Sequence, residues 1–342
     1  MGEYSIISGS KAMVMPLPQF SGELILPDRD LPAELEAEQS NYELREFFQY
    51  LDSRQVKGQL SSELDTCRLG SDLDLGLFFQ STIPVQYGAG SSAALVAAVY
   101  GAYSYNTIDR GTARSSELLD LRLSLGEMES CFHGTSSGID PLCSYTGKTL
   151  IVDQDNIRPI RIAPLQKDEK LFLLDCGLKS HTGSLVSDFK SRMDTDKEFG
   201  RAVREDLGAL VERGIMGLSG EANENTEKAH ARKSKEAGGG NSEEVNGGKS
   251  EEVNAGDRKE FPAGEDLKEL FRELSKWQLE NFLPMIPDEV RPIWEEGLNT
   301  AAYSLKLCGS GGGGFFLGYT GQWKETLTLL GTSGMKVFAL DL

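Results

Sequence analysis

The sequence predicts an α+β protein folded in two lobes. Its 342 residues exceed the size at which a single hydrophobic core keeps growing, so two cores are the expectation. Short β-like runs and amphipathic helical stretches interleave up to about residue 150, where the chain reads as a mixed lobe. Long helical stretches follow, and the chain closes on a strand, a helix and a strand. The expected division is an N-terminal lobe over 1–165 and a C-terminal lobe over 166–342.

In chain order, 22–26 and 77–85 read as strands and 32–52 as a helix, with Pro32 where a helix start tolerates it. The stretch 115–132 reads as a second helix. Its Leu118, Leu121, Leu125, Met128 and Phe132 recur at steps of three and four and mark one buried stripe. Runs at 149–153 and 170–175 are β-like, 185–212 and 265–282 are helical, and 314–319, 323–330 and 335–340 form the closing strand, helix and strand.

The stretch from about 219 to 264 differs from the rest. Phe261 is its one aromatic, and the unit Asn241-Ser-Glu-Glu-Val-Asn-Gly-Gly248 returns as Lys249-Ser-Glu-Glu-Val-Asn-Ala-Gly256. Such a composition buries too little apolar area to offset ordering, which costs roughly 1–2 kcal/mol per residue for the backbone alone. A disordered polar insertion between two helices is expected.

Composition narrows the function classes. Apolar residues at 39% and aromatics at 8% suffice for packed cores. No stretch has the length and apolarity of a membrane span, and the first residues lack a basic segment followed by an apolar one, so the expectation is a soluble, cytoplasmic protein. Cys67, Cys131, Cys143, Cys176 and Cys308 are odd in number and lack C-x-x-C pairs. They read as reduced thiols packed as small hydrophobes, with no zinc site. The formal net charge of -18 argues against nucleic acid and anionic membrane as partners. An acidic protein that binds a polyanion must create the attraction locally, from backbone amides, a helix N-terminus and a divalent cation.

Tyr87-Gly88-Ala89-Gly90-Ser91-Ser92-Ala93-Ala94 stands between a β-like stretch and an alanine-rich apolar run. Glycines there let consecutive N–H groups turn inward, and the following helix offers its positive end. The run therefore reads as a phosphate cradle or as an ordinary strand-to-helix turn. It matches neither the Walker spacing nor the dinucleotide fingerprint.

A second motif runs Glu129-Ser-Cys-Phe-His133-Gly134-Thr-Ser-Ser137-Gly138-Ile139-Asp140. Gly134 is a natural helix stop, and the Ser-Gly turn leaves the Asp140 carboxylate projecting. Two carboxylates separated by a helix end and a turn can converge, one holding a metal and the other taking or steering a proton. The competing reading makes them a solvated helix residue and an ordinary turn. The third motif, Lys306-Leu-Cys-Gly309-Ser310-Gly311-Gly312-Gly313-Gly314-Phe315-Phe316, carries four successive glycines. They point to close approach of a ligand, or to a flexible hairpin.

Together these motifs resemble the GHMP kinases, with Pro84-Val-Gln-Tyr-Gly88-Ala-Gly90-Ser-Ser92-Ala-Ala94 as the phosphate loop. The second motif is most similar to that of the mevalonate kinases. Asp175-Cys-Gly-Leu-Lys-Ser180-His181-Thr182 resembles the strand and turn near the acceptor, and Gly2-Glu3-Tyr4 the opening segment. The resemblance implies a two-lobed α+β GHMP kinase fold, with an N-terminal lobe like ribosomal protein S5 domain 2 and a ferredoxin-like C-terminal lobe. It implies ATP-dependent phosphorylation of the primary hydroxyl of mevalonate, with ATP and Mg2+ as cofactors and a monomer or homodimer as the working form.

The resemblance also implies roles. Asp140 is the catalytic carboxylate, and the amides of Gly88, Ala89, Gly90, Ser91 and Ser92 hold the ATP phosphates. Ser92 and Glu129 complete the magnesium site, and Glu3, Tyr4, His133 and Thr182 lie near the acceptor. Gly309, Gly311, Gly312 and Gly313 form the glycine-rich motif beside the phosphate loop.

Two departures from the family pattern stand out. Tyr4 occupies a position where many mevalonate kinases carry His, and the Gly-Glu-Tyr form also occurs in phosphomevalonate kinases. The family places a Gly-Lys strand ahead of the opening motif, whereas Met1 directly precedes Gly2 here. Truncation, a misassigned start or a substitute cation each account for this, Lys11 being one such cation or a solvated turn charge. The alternatives kept open are a phosphomevalonate kinase or another small-molecule kinase of the superfamily, and a catalytically silent ligand-binding homologue.

Overall fold

The computed structural model describes residues 1–27, 35–154, 156–180, 182–220 and 266–340. β1 (Ala12–Val14) and β2 (Gly22–Ile25) precede α1 (Leu35–Val56), α2 (Thr66–Asp74) and β3 (Phe78–Ser81). The glycine-rich turn then opens α3 (Ser91–Tyr103), followed by α4 (Ser115–His133), α5 (Ile139–Thr146), β4 (Thr149–Asp153) and β5 (Asn156–Ile160). Next come β6 (Lys170–Asp175), α6 (Thr182–Thr195), α7 (Lys197–Ala202), a π-helical turn and α8 (Gly208–Ser219). The chain continues through α9 (Leu267–Asn281), α10 (Arg291–Thr300), β7 (Ser304–Leu307), β8 (Phe315–Thr320), α11 (Trp323–Leu330) and β9 (Lys336–Leu340).

Three antiparallel sheets organise these elements: β1-β4-β5, the pair β2-β3, and β7-β8-β6-β9. From β6 onward the strands and helices run in the β-α-β-β-α-β order of ferredoxin-like units. Central β6 buries Leu171, Phe172, Leu173 and Leu174, as expected of a strand covered on both faces. Two hydrophobic clusters result. One gathers residues from Leu44 to Ile157; the other gathers residues from Leu171 to Leu340 together with Tyr4, Met13 and Ile151.

Several expectations are corrected. The strand read over 77–85 ends at Ser81. Thr82 still donates to Ser21 O at 2.9 Å, but Pro84 has no N–H to extend a ladder. In α4, Leu118, Leu121, Leu125 and Met128 are buried, whereas Phe132 is 39% exposed and meets Phe47 at a ring distance of 5.0 Å. β5 was not expected because of Pro159, which an edge strand tolerates. Cys67 is exposed rather than packed; all five cysteines are free thiols. The repeated polar unit and Pro32 lie outside the described residues. No described helix is long and apolar enough to cross a membrane.

Candidate active site

The glycine-rich turn is a compact loop between β3 and α3. Gln86 holds φ 65, Gly88 φ 66 and Gly90 φ 77, and Gly90 caps α3. Left-handed conformations in close succession turn main-chain N–H groups toward one side, and the end of α3 adds the positive end of its dipole. The alanine-rich start of α3 keeps that end slim. Ala93, Val96 and Ala97 are buried where α3 packs on α4 and α5.

Helices α4 and α5 carry the two carboxylates. Gly134 ends α4, and Gly138 caps α5 at φ 71. A Cβ on Gly138 would stand 1.9 Å from Arg122 O, so only glycine lets α5 start this close to α4. Asp140 lies in the first turn of α5, where the helix dipole favours a negative side chain.

Glu129, on α4, is 6% exposed. Ser92 Oγ donates to its Oε1 at 3.2 Å, and Ser136 Oγ donates to its Oε2. Burial pushes its carboxyl above the ordinary range; the Ser136 bond counters this, the nearby Asp140 charge adds to it, and the Ser92 bond counters it again. Ser136 Oγ also accepts from Gly138 N at 3.0 Å. One hydroxyl thereby ties Glu129 to the turn that presents Asp140. A buried carboxylate, a hydroxyl and a second nearby carboxylate form a hard oxygen donor set that suits Mg2+.

The third motif packs against the glycine-rich turn. Gly309, Gly311, Gly312 and Gly314 all have left-handed φ. A Cβ on Gly314 would meet Tyr87 O at 2.2 Å, and one on Gly311 would meet Met285 O at 2.6 Å. Gly314 N donates to Leu178 O at 2.7 Å. The expectation that a ligand explains the glycine run is corrected here. Backbone of this chain fills the space beside Gly311, Gly313 and Gly314, and the Leu185 side chain fills that beside Gly312. Ser180 reinforces the junction, its N donating to Gln86 O at 2.8 Å and its Oγ to Gly311 O.

The opening segment reaches the same place. Tyr4 OH donates to Ser310 O at 2.7 Å, and its ring lies 4.5 Å from Phe189 and 5.0 Å from Phe282. Burial pushes the Tyr4 phenol up, with the Glu3 charge adding to the effect, so Tyr4 is a neutral donor. Lys306 is 1% exposed. Its Nζ donates to Glu3 Oε1 and to Leu307 O. Burial alone would raise the Glu3 carboxyl; the Lys306 ammonium, then the Met1 amine, outweigh it and bring the carboxyl down to about 2.

A cleft of about 2300 Å³ is bordered by Glu3, Tyr4, Gly88, Ala89, Gly90, Ser91, Ser92, Glu129, Asp140 and Gly309. Gly311, Gly312 and Gly313 do not border it. His133 ends α4 and Thr182 begins α6, whose next residues Gly183 and Ser184 border the cleft. Lys11 is turned elsewhere, paired with Glu212 at 2.8 Å.

The sequence alone did not single out Ser136, Ser180 and Lys306, whose side chains tie the bordering segments together. All three stand inside quoted motifs, and hydroxyl or ammonium groups flanking glycine turns were the available signal. The wall also carries Glu23, Glu36, Glu38 and Glu43, and none of the described residues bordering it is Lys or Arg.

Residues 56–148 match the family model for the GHMP kinases N terminal domain. A mevalonate kinase of Pyrococcus horikoshii is 31% identical over 165 residues, 45% of this chain and 42% of that protein. One of Pyrococcus abyssi is 31% identical over 140 residues, 39% of this chain and 37% of that protein. The match thus spans less than half the length of these curated relatives. Among solved structures, the L. major mevalonate kinase in complex with R-mevalonate aligns with a TM-score of 0.57 at 15% identity, covering 100% of this chain and 92% of that one. Streptococcus pneumoniae phosphomevalonate kinase, in complex with phosphomevalonate and AMPPNP, aligns with a TM-score of 0.53 at 14% identity, covering 99% and 96%. At such identities the structural likeness establishes the fold.

Proposed function

We propose that this chain transfers the γ-phosphoryl group of ATP to the primary hydroxyl of mevalonate; the reading is supported by the match of residues 56–148 to the GHMP kinases N terminal domain, by the shared fold and by the mevalonate kinases among the curated proteins it resembles. The observation that carries this reading is the meeting, on one cleft, of the phosphate loop, the Ser92-Glu129 pair and Asp140.

The amides of residues 88–92 and the N-terminus of α3 bind the phosphate oxygens of ATP, a task suited to main-chain donors in an acidic wall. Glu129 and Ser92 would hold Mg2+, which when bound supplies positive charge to the phosphate oxygens. Asp140 takes or guides the proton of the acceptor hydroxyl. The alcohol oxygen bonds to the γ-phosphorus as the bond to the bridging oxygen breaks, and ADP departs. Little covalent work falls to the protein, so the rate comes from positioning and charge stabilisation. Glu3 and Tyr4, which border the same cleft, address the acceptor.

A phosphomevalonate acceptor is the second reading, supported by the Streptococcus pneumoniae neighbour. The wall weighs against it, because it carries Glu23, Glu36, Glu38 and Glu43 and no described Lys or Arg borders it to hold an acceptor phosphate. A silent ligand-binding homologue has no use for a buried metal-type carboxylate beside a second one. A coupled ADP-release assay with mevalonate, phosphomevalonate, galactose and homoserine tests the proposal. Mevalonate is expected to give the fastest turnover. A faster alternative acceptor overturns the substrate, and nucleotide binding without turnover on any acceptor overturns the enzyme.

A further inference from the structure

Glu3 borders the cleft while its carboxylate is gripped from behind by a lysine that does not. Lys306 sits on β7, all four residues of which are buried, and its side chain is 2% exposed against 14% for Glu3. Its ammonium bonds to one carboxylate oxygen of Glu3 and to Leu307 O. The neighbouring amide is fixed as well, with Leu307 N donating to Gln278 Oε1 at 2.9 Å. Tyr4 makes a parallel tie to Ser310. The segment bearing Glu3 and Tyr4 is thus stapled twice to the motif that packs on the phosphate loop.

A lysine buried this deeply and committed to one carboxylate costs desolvation, which hydrophobic packing in the same space avoids. A purely architectural staple between two segments is available from Tyr4 alone. What the ion pair adds is a carboxylate held in one place and in one charge state at a wall that faces ligand.

We propose that Lys306 is a positioning residue, anchoring the Glu3 carboxylate so that it accepts a hydrogen bond from a hydroxyl of the acceptor alcohol. The inference rests on the kinase reading and adds to it the residue that fixes acceptor recognition. Because Lys306 also joins Glu3 to the third motif, the acceptor wall and the phosphate loop share one rigid support.

The test uses Lys306→Met, Glu3→Gln and the double variant, with thermal midpoints, calorimetric titration of mevalonate and steady-state kinetics for both substrates. Lys306→Met is expected to lower the midpoint and to weaken mevalonate binding about tenfold or more, the loss that accompanies a hydrogen bond to a charged group. KM for ATP should stay near the wild-type value. The double variant removes the Lys306–Glu3 pair but leaves the buried Met1 amine without the Glu3 carboxylate, so it is expected to regain part of the midpoint lost in Lys306→Met without regaining mevalonate affinity. Recovery of wild-type mevalonate affinity in the double variant overturns the inference, as does an equal rise in both KM values in Lys306→Met. A wild-type protein that phosphorylates no alcohol overturns the kinase reading and this inference with it. The same acceptor-specific loss on a different alcohol supports the inference while overturning mevalonate as the substrate.

Discussion

Ser92 Oγ and Glu129 Oε1 lie 3.2 Å apart, joining the first turn of the helix behind the phosphate loop to a buried carboxylate on the neighbouring helix. Under the proposed function this bond joins phosphate binding and metal binding in one unit, because the backbone that presents Ser92 also presents the loop amides.

Glu129 is held ionisable at a cost, and removing that cost has a predictable sign. Its carboxyl stands above the ordinary range chiefly through burial, so the folded state binds the proton more tightly than the unfolded state. Its contribution to stability therefore falls as pH rises through the carboxyl range, and at neutral pH the charge is a burden. Glu129→Gln should raise the thermal midpoint at pH 7 while weakening Mg2+ affinity in the presence of ADP by about 10–100-fold. Differential scanning calorimetry and Mn2+ titration followed by electron paramagnetic resonance read the two effects separately.

Asp140 is exposed at the first turn of α5, so Asp140→Asn should fold normally. Turnover is expected to drop about 100-fold or more, the usual reach of a lost general base, with the Kd for ATP changed by less than about twofold. Stopped-flow phosphoryl transfer together with fluorescent nucleotide titration checks the split. Unchanged turnover removes Asp140 from the chemistry.

The Glu3 carboxyl, brought from its ordinary 4.5 to about 2 by Lys306 and the Met1 amine against burial, has the opposite linkage. Its contribution is fully present above pH 4.5 and is lost as pH falls toward 2. Glu3→Gln should cost on the order of 3 kcal/mol at neutral pH. The gap from wild type should close between pH 4.5 and 2. Urea midpoints across that range measure it.

Two glycines flanking the second motif should respond differently to alanine. Gly134 has φ 78 with nothing near its missing Cβ, whereas Gly138 has φ 71 with Arg122 O at 1.9 Å. Gly134→Ala should cost about 1–2 kcal/mol from backbone conformation alone, and Gly138→Ala roughly 3 kcal/mol or more, because α5 must move away from α4. Denaturant unfolding gives the stabilities. Activity should survive in the first variant and fail in the second, since displacing α5 carries Asp140 with it.

Local signals made much of the fold legible. The stripe from Leu118 to Met128 gave α4, and turn residues gave the start of α3 and the stop at Gly134. β5 escaped because Pro159 suppresses a strand signal that edge position forgives. The glycine-rich turn before α3 and the placement of the two carboxylates were legible because each motif is short, and its conformation follows from neighbours within a few residues.

What the sequence determined by itself was the set of local devices: left-handed turns at glycine, a slim helix start, and carboxylates placed at a helix end and after a turn. Only the tertiary structure decided which of them meet. Glu3 and Lys306 are 303 residues apart, and no local preference registers across that distance. Gly314 faces Tyr87 rather than a ligand for the same reason. Long-range contacts form where packing and charge burial are satisfied over the whole chain at once, and that balance is struck only in the folded molecule.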